Sequence, residues 1–347
     1  PDTAAIHQQP HIPDSPAIAV KNILQDLWIV RAVHVAVKLG IADRCHAGPR
    51  SIEELAQETE TNALSLYRLL RCLASVAIFA EVQPRVFVNT PLSDELRSDR
   101  PDTIHDQAML DAQEWSWKVA ENLEYSIRTG KSAMVDAYGM DCWEYCKGRP
   151  EQAAIFGKGM ANITRLATPA LVQAYDFSAC GTLVDLGGGQ GGLLRAILVA
   201  YPGVKGILFD LHQFIEQARE QIEPEIRDRL QLIAGDFFTT VPEGGDAYIL
   251  RKVIHGCDNE DAVKLLRKCR QAMKPDGKIL LIETIIQTGG GRETTLDKSM
   301  DLRLLAISGG GERTSEEFAA LYESAGFKLT QIIPAAAALS IIEGVPV

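Results

Sequence analysis

The stretch Leu183-Val184-Asp185-Leu186-Gly187-Gly188-Gly189-Gln190-Gly191-Gly192 decides how the chain is read. Three apolar residues and one acid predict a short buried strand. It runs into a turn of five glycines and one glutamine, then into Leu193-Leu194-Arg195-Ala196-Ile197-Leu198, an apolar helix. Strand, glycine turn and helix is how an α/β sheet brings backbone N–H groups and a helix N-terminus to a ligand. Glycine permits both the close approach and the positive φ values that such a turn needs. Gly187, Gly189 and Gly192 fit the G-x-G-x-x-G spacing, which by itself also suits a turn that only closes a βα connection.

Downstream, apolar strands alternate with helices. Ile207-Leu208-Phe209 ends in Asp210, Leu230–Ile233 leads to Gly235-Asp236-Phe237-Phe238, and Ala247–Leu250 runs on to Val253-Ile254-His255. A helix from Asn259 to Met273 closes at Pro275-Asp276-Gly277, and Lys278–Glu283 is the next strand. This alternation predicts a parallel, doubly wound, Rossmann-like α/β sheet. After a helix over Ser315–Ala325, Phe327–Ile333 and Leu339–Val345 are expected to pair as a terminal antiparallel hairpin. Asp210 follows the glycine turn at about the separation where an acid meets a ribose. Asp236, with Phe237 beside it, suits an adenine: the carboxylate accepts from the exocyclic amine while the ring packs on the base.

Upstream the pattern is different. Residues 1–20 carry four prolines and no periodicity, which predicts a loose arm. Ile23–Leu39 has helical spacing but is apolar on more than one face, so its excess is expected to pack on another subunit or in a core. Ser51-Ile52-Glu53-Glu54 is a capping box. Asn62 starts another helix, and Ala80–Val88 reads as a small hairpin. Three helices and a hairpin suggest a winged helix, yet residues 21–100 hold 10 Lys+Arg against 10 Asp+Glu. DNA binding without a basic stripe lacks its main source of affinity. Residues 103–175 read as helical, with Phe156 and Met160 four apart on one face.

Composition sets bounds on the rest. The 347 residues are 46% hydrophobic and 23% charged, enough for a full core in about two domains. No apolar run approaches the roughly 20 residues needed to cross a bilayer, and Pro1–Ala5 does not resemble a signal peptide. A net charge of −11 disfavours nucleic acid and anionic membranes as partners. Seven scattered Cys suggest reduced thiols and a cytoplasmic protein, and no cluster suggests a metal.

Four motifs now bear on one family: Val184–Gly191, Phe209-Asp210-Leu211, Gly235–Phe238, and Gly311-Glu312-Arg313-Thr314 before a helix. With them the chain resembles the S-adenosylmethionine-dependent small-molecule O-methyltransferases, the class of plant caffeic acid and bacterial polyketide enzymes. The resemblance covers nearly the whole chain. It implies a mainly α-helical winged-helix-like dimerisation domain over 21–102, a helical connector over 103–178 contributing to an acceptor pocket, and a methyltransferase domain over 179–347. It also implies a homodimer acting on a hydroxylated, aromatic small molecule. S-adenosylmethionine would meet Asp185, Gly187, Gly189, Asp210, Asp236, Phe237 and Arg251, the last in place of a lysine. Tyr145…Arg149-Pro150-Glu151…Phe156…Met160 resembles the segment lining the acceptor pocket. His255 resembles the catalytic base, flanked by Glu283 and Glu312, with no metal implied. The family usually continues Asp-Trp after this His; Gly256-Cys257 stand here instead, which suggests a roomier, less polar wall, with Asp258 as a substitute acid.

Two other classes use some of the same features. A nicotinamide-dependent oxidoreductase shares the glycine turn and Asp210, but gives no reason for Gly235–Phe238 or for His255 with two glutamates. A non-catalytic winged-helix regulator is opposed by the charge balance of residues 21–100.

Overall fold

The computed structural model describes residues 15–287, 295–335 and 338–347. They fall into two compact units. One runs through Trp117 and takes in Glu151–Ile163; the other contains Lys118–Pro150 and Thr164–Val347. The helical stretch 103–178 is therefore not a block of its own but is divided between the two.

In the first unit a long helix spans Pro16–Lys38, with Pro16 in its first turn, where a missing N–H costs nothing. The loose arm expected over residues 1–20 is thus too long: Pro16–Val20 is helical, and residues 1–14 lie outside the described residues. Leu39 ends the helix and Gly40, at φ +59, turns the chain. Ser51 and Glu54 make the expected capping box, and Asn62 caps Ala63–Ala74. Strands β1 (Arg50–Ser51), β2 (Phe79–Gln83) and β3 (Val86–Asn89) form a small sheet in the order β1-β3-β2. Ile41, Ile52, Leu55, Leu70, Leu73, Phe79 and Phe87 fill the space beneath it. Along the long helix, by contrast, Ile18, Ile23, Leu24, Leu27 and Trp28 are all more than half exposed.

The second unit is built on seven strands. They are β4 (Thr182–Leu186), β5 (Lys205–Asp210), β6 (Leu230–Ala234), β7 (Ala247–Arg251), β8 (Lys278–Thr284), β9 (Phe327–Pro334) and β10 (Leu339–Pro346). Their order is β6-β5-β4-β7-β8-β10-β9, parallel through β8 and antiparallel at β10 and β9. Strands β4, β7 and β8 are buried almost throughout, as expected where helices cover both faces of a parallel sheet. One layer gathers Leu183, Leu194, Ile197, Leu208 and Ile249, the other Val184, Leu186, Leu250, Leu266 and Leu281. The chain leaves β4 for β5 on one side and returns to β7 on the other, so the order reverses at β4. That reversal opens a crevice at the carboxyl ends of the strands. The glycine turn leaves β4 at this point, and Asp210 and Arg251 end the flanking strands.

Candidate active site

The turn after β4 is shaped by its own neighbours as much as by any ligand. Gly187, Gly189 and Gly191 all take positive φ. A Cβ on Gly188 would lie 2.4 Å from the Asp185 carboxylate, and one on Gly187 2.8 Å from Val253 and 3.3 Å from the Phe237 ring. At Gly189 a Cβ would meet nothing within 4 Å, so this part of the turn faces open space. The N–H of Gly189 donates to Asp210 Oδ2 at 2.7 Å, and the N–H of Leu211 to Asp210 Oδ1 at 2.6 Å. Burial pushes the Asp210 carboxyl up to about 6 against those two bonds.

Beneath the turn Asp185 is fully buried, and its Oδ1 has no hydrogen-bond partner among the described residues. Burial and the nearby Asp210 push its carboxyl up to about 7, with Arg251 opposing. Arg251 is itself buried and donates to Thr164 Oγ1 at 2.7 Å. Burial pulls its pKa down, while Asp185 and Glu283 oppose. On the far side of the turn Asp236 is exposed, its Oδ1 accepting from the Phe238 N–H at 2.8 Å, while Phe237 lies against Gly187. A polar cradle with an open glycine face, two buried acids and an aromatic ring suits a cationic adenosine derivative. Gly187, Gly189, Asp185, Asp210, Asp236, Phe237 and Arg251 are the residues able to hold it.

The second part of the site follows β7. Lys252 takes φ +53, uncommon for a residue with a Cβ, and Val253 returns to the right-handed region. Such a left–right alternation turns successive N–H groups toward one point, a nest for an anion. The anion is Glu283 on β8: its Oε1 accepts from the N–H of Val253 at 3.1 Å, Ile254 at 3.0 Å and His255 at 3.4 Å. This carboxylate is wholly buried, and its Oε2 stands 3.8 Å from His255 Nδ1. The same ring nitrogen lies 3.4 Å from Glu312 Oε1. Burial pushes the Glu312 carboxyl up, but the hydrogen bonds from His255 and Lys252 and the charge of Lys252 outweigh it and hold the group below the usual range.

Other residues hold the cluster from behind. Asp301 Oδ1 accepts the Glu312 N–H at 2.8 Å. The guanidinium of Arg313 donates to the carbonyls of Ile254 and Cys257. Gly311 N–H donates to the His255 carbonyl at 2.9 Å, and a Cβ on Gly310 would fall 2.1 Å from that oxygen. Gly310, Asp301 and Lys252 were missed in the sequence. The run Gly309-Gly310-Gly311 ahead of Glu312 was a readable sign for the first; nothing local marks the other two.

His255, Glu283 and Glu312 are thus brought together. Phe156 and Met160 both lie on the part of the helix Pro150–Ala174 that belongs to the first unit, where Phe156 is buried. The unusual Gly256-Cys257 pair splits in its behaviour. A Cβ on Gly256 would meet nothing within 4 Å, so space is open there. Cys257 instead packs into the core with its Sγ toward the Val253 carbonyl. Asp258 does not substitute for the absent acid, because its side chain caps the helix Asn259–Ala272.

Comparison with known proteins follows the same two parts. Residues 22–99 match the O-methyltransferase dimerisation domain and residues 120–328 the O-methyltransferase domain. The chain is 37% identical to phenazine O-methyltransferase PhzM of Lysobacter antibioticus, over 95% of this chain and 98% of that one. It is 30% identical to phenazine-1-carboxylate N-methyltransferase of Pseudomonas aeruginosa, over 91% and 94%. Among solved structures it is similar to the O-methyltransferase NcsB1 from neocarzinostatin biosynthesis, in complex with S-adenosylmethionine and 2-hydroxy-5-methyl naphthoic acid. The TM-score is 0.83 at 32% identity, covering 94% of this chain and 98% of that one. A tandem match to both models, with relatives alike along almost the whole length, means that the chain belongs to the O-methyltransferase family.

Proposed function

We propose that the protein methylates a phenolic or enolic hydroxyl of a small aromatic secondary metabolite, with S-adenosylmethionine as donor and His255 as general base. The observation that carries this reading is His255 Nδ1 facing two buried carboxylates, Glu312 at 3.4 Å and Glu283 at 3.8 Å. Such partners hold the proton on Nδ1 and leave Nε2 to accept another. When bound, S-adenosylmethionine supplies an electrophilic methyl carbon. A phenol of pKa about 10 is ionised in only about one molecule in a thousand at pH 7. His255 Nε2 takes the hydroxyl proton: the O–H bond breaks, an N–H bond forms, and the oxygen becomes a competent nucleophile. The carboxylates of Glu283 and Glu312 stabilise the imidazolium that results. Phe156 and Met160 are proposed to contact the acceptor.

The ligand atoms of His255, Glu283 and Glu312 lie within 4.8 Å of one another, a spacing that could also hold a cation. We favour a metal-independent reaction because three N–H groups already engage Glu283 Oε1 and the Lys252 ammonium already sits on Glu312 Oε1, while Oε2 of each acid has no hydrogen-bond partner among the described residues. The test is transfer of labelled methyl from S-adenosylmethionine to a panel of hydroxylated and aminated aromatics, with and without EDTA. Product on a hydroxyl, undiminished by EDTA, is expected. Product on nitrogen alone would put the chain with the N-methyltransferase relative, and loss of activity in EDTA would make the three side chains metal ligands.

Residues 21–102 are proposed to dimerise the protein, and 179–347 to carry out the chemistry. No described helix is long and apolar enough to cross a membrane; the cytoplasm is the proposed location. The exposed Ile23, Leu24, Leu27 and Trp28 of the first helix form an apolar patch of the kind that marks interfaces. Light scattering at micromolar protein should report twice the chain mass. Replacing Leu24 and Trp28 together by Glu should shift the population toward monomer, and a wild-type monomer would refute the proposal.

A further inference from the structure

Lys252 has no place in the reaction as described, yet its side chain ends inside the cluster. Its Nζ donates to Thr284 Oγ1 at 2.6 Å and to Glu312 Oε1 at 3.0 Å. That Glu312 oxygen is the one facing His255 Nδ1 at 3.4 Å. An ammonium and an imidazole therefore share one carboxylate oxygen. The pair is sequestered: the Glu312 side chain is 1% exposed and that of Lys252 14%. The Lys252 backbone takes the left-handed conformation here. The same conformation begins the nest that binds Glu283.

Two carboxylates beside one imidazole favour the imidazolium, and an imidazolium cannot accept a proton. A positive charge on those same carboxylates opposes that effect. The charged groups around the ring among the described residues are few. Glu283 faces it from β8, and Glu312 from the segment before the helix Ser315–Ser324. Asp301, from the helix Thr295–Ser308, is engaged with the Glu312 N–H. Arg313 is committed to the carbonyls of Ile254 and Cys257, and Asp258 to its helix cap. Arg251, at the end of β7, interacts through charge with Asp185 and Glu283 and donates to Thr164 Oγ1. Among the described residues, Lys252 is the cation placed on an oxygen that the ring also uses.

We propose that Lys252 is a positioning residue: its ammonium, sharing Glu312 Oε1 with His255, keeps the imidazole neutral and ready to accept the acceptor's proton. This rests on His255 being the base. Lys252 exchanges no proton in the step; it acts through charge on Glu312 and by fixing that carboxylate against Thr284. Glu312 then orients the ring without holding it permanently protonated.

The test reads protonation directly as well as activity. His255 is followed by NMR in protein with 13C-labelled histidine rings, its signal assigned by its loss in His255→Gln. Lys252→Met should raise the pH midpoint of the ring's titration by about one unit, the scale of one nearby charge. Lys252→Gly, which suits the positive φ and so avoids any folding objection, should do the same. Lys252→Arg, which keeps the charge, should leave the midpoint close to wild type. In assays with a competent acceptor, the acid limb of the kcat/KM profile should move up equally in Met and Gly, with activity recovering at high pH. A purely structural lysine would lower the plateau and leave the midpoint in place. An unmoved His255 titration in both variants overturns the proposal whether or not methyl transfer is found. A moved titration in a protein that transfers no methyl would sustain the charge coupling and refute only the reading of the reaction.

Discussion

Replacing His255 with alanine should lower turnover at pH 7 by about 10²–10⁴-fold, the usual worth of a positioned general base. The binding of S-adenosylhomocysteine should be nearly unchanged, because the proposed adenosine site, the glycine turn with Asp210 and Asp236, does not include this ring. The loss should shrink as pH rises toward the acceptor's own pKa, since phenolate then forms unaided. The opposing view is that the open space at Gly256 admits an acceptor whose proximity to the donor suffices, with His255 only shaping the wall. Rate measurements on wild type and His255→Ala from pH 6 to pH 10 separate the two views. A mutant within about threefold of wild type at pH 7 would exclude the general base, because no base of that strength is worth so little.

The second large effect is expected at Asp210. Its alanine variant should bind S-adenosylmethionine and S-adenosylhomocysteine more weakly by about 1.5–3 kcal/mol, the range for hydrogen bonds with a charged partner, or roughly 10- to 150-fold. The carboxyl is pushed up to about 6 by burial, so in wild type it gains a proton as pH falls through 6 and loses acceptor capacity. Wild-type affinity should therefore drop on acidification below 6, and the alanine variant should show less of that drop. Calorimetry at pH 5.5 and 7.5 reads both numbers. Asp210 also anchors the Gly189 N–H, so the ligand-free melting temperature of the variant is needed to separate lost contacts from a loosened turn. Tighter binding of NADH than of S-adenosylhomocysteine by the wild type would overturn the cofactor assignment altogether.

How far the sequence carried the reading depended on how local each feature was. The strand, glycine turn and helix at 183–198 are one continuous signal, because a buried strand, a positive-φ turn and an apolar helix each leave marks within a few residues. The same holds for Asp210, which ends β5, and Asp236, two residues past β6, since both strands are mostly apolar, and for the Ser51–Glu54 capping box. The doubly wound sheet follows from the alternation of such segments. The helix start at Pro16 was less legible, since proline marks both a loose arm and a first helical turn. The fate of Cys257 was not legible at all, as a cysteine two residues after the proposed base can face either pocket or core.

The proximity of His255, Glu283 and Glu312 is another matter. In sequence Glu283 is 28 residues from His255, and Glu312 is 57. The resemblance grouped them, but no periodicity or spacing could. The pairing of β7 with β8 delivers Glu283 beneath the chain that leaves β7, and the left-handed turn at Lys252 aims three N–H groups at it. The contacts of Gly310 and Gly311 with the His255 backbone bring Glu312 alongside. Taken alone, the sequence determined the sheet, the glycine turn and the acids beside it, because short-range sterics and burial write those into neighbouring residues. Only the tertiary structure decided which side chains meet at His255, and that Lys252 is among them, because strand register and a single backbone dihedral place charges that the chain itself keeps far apart.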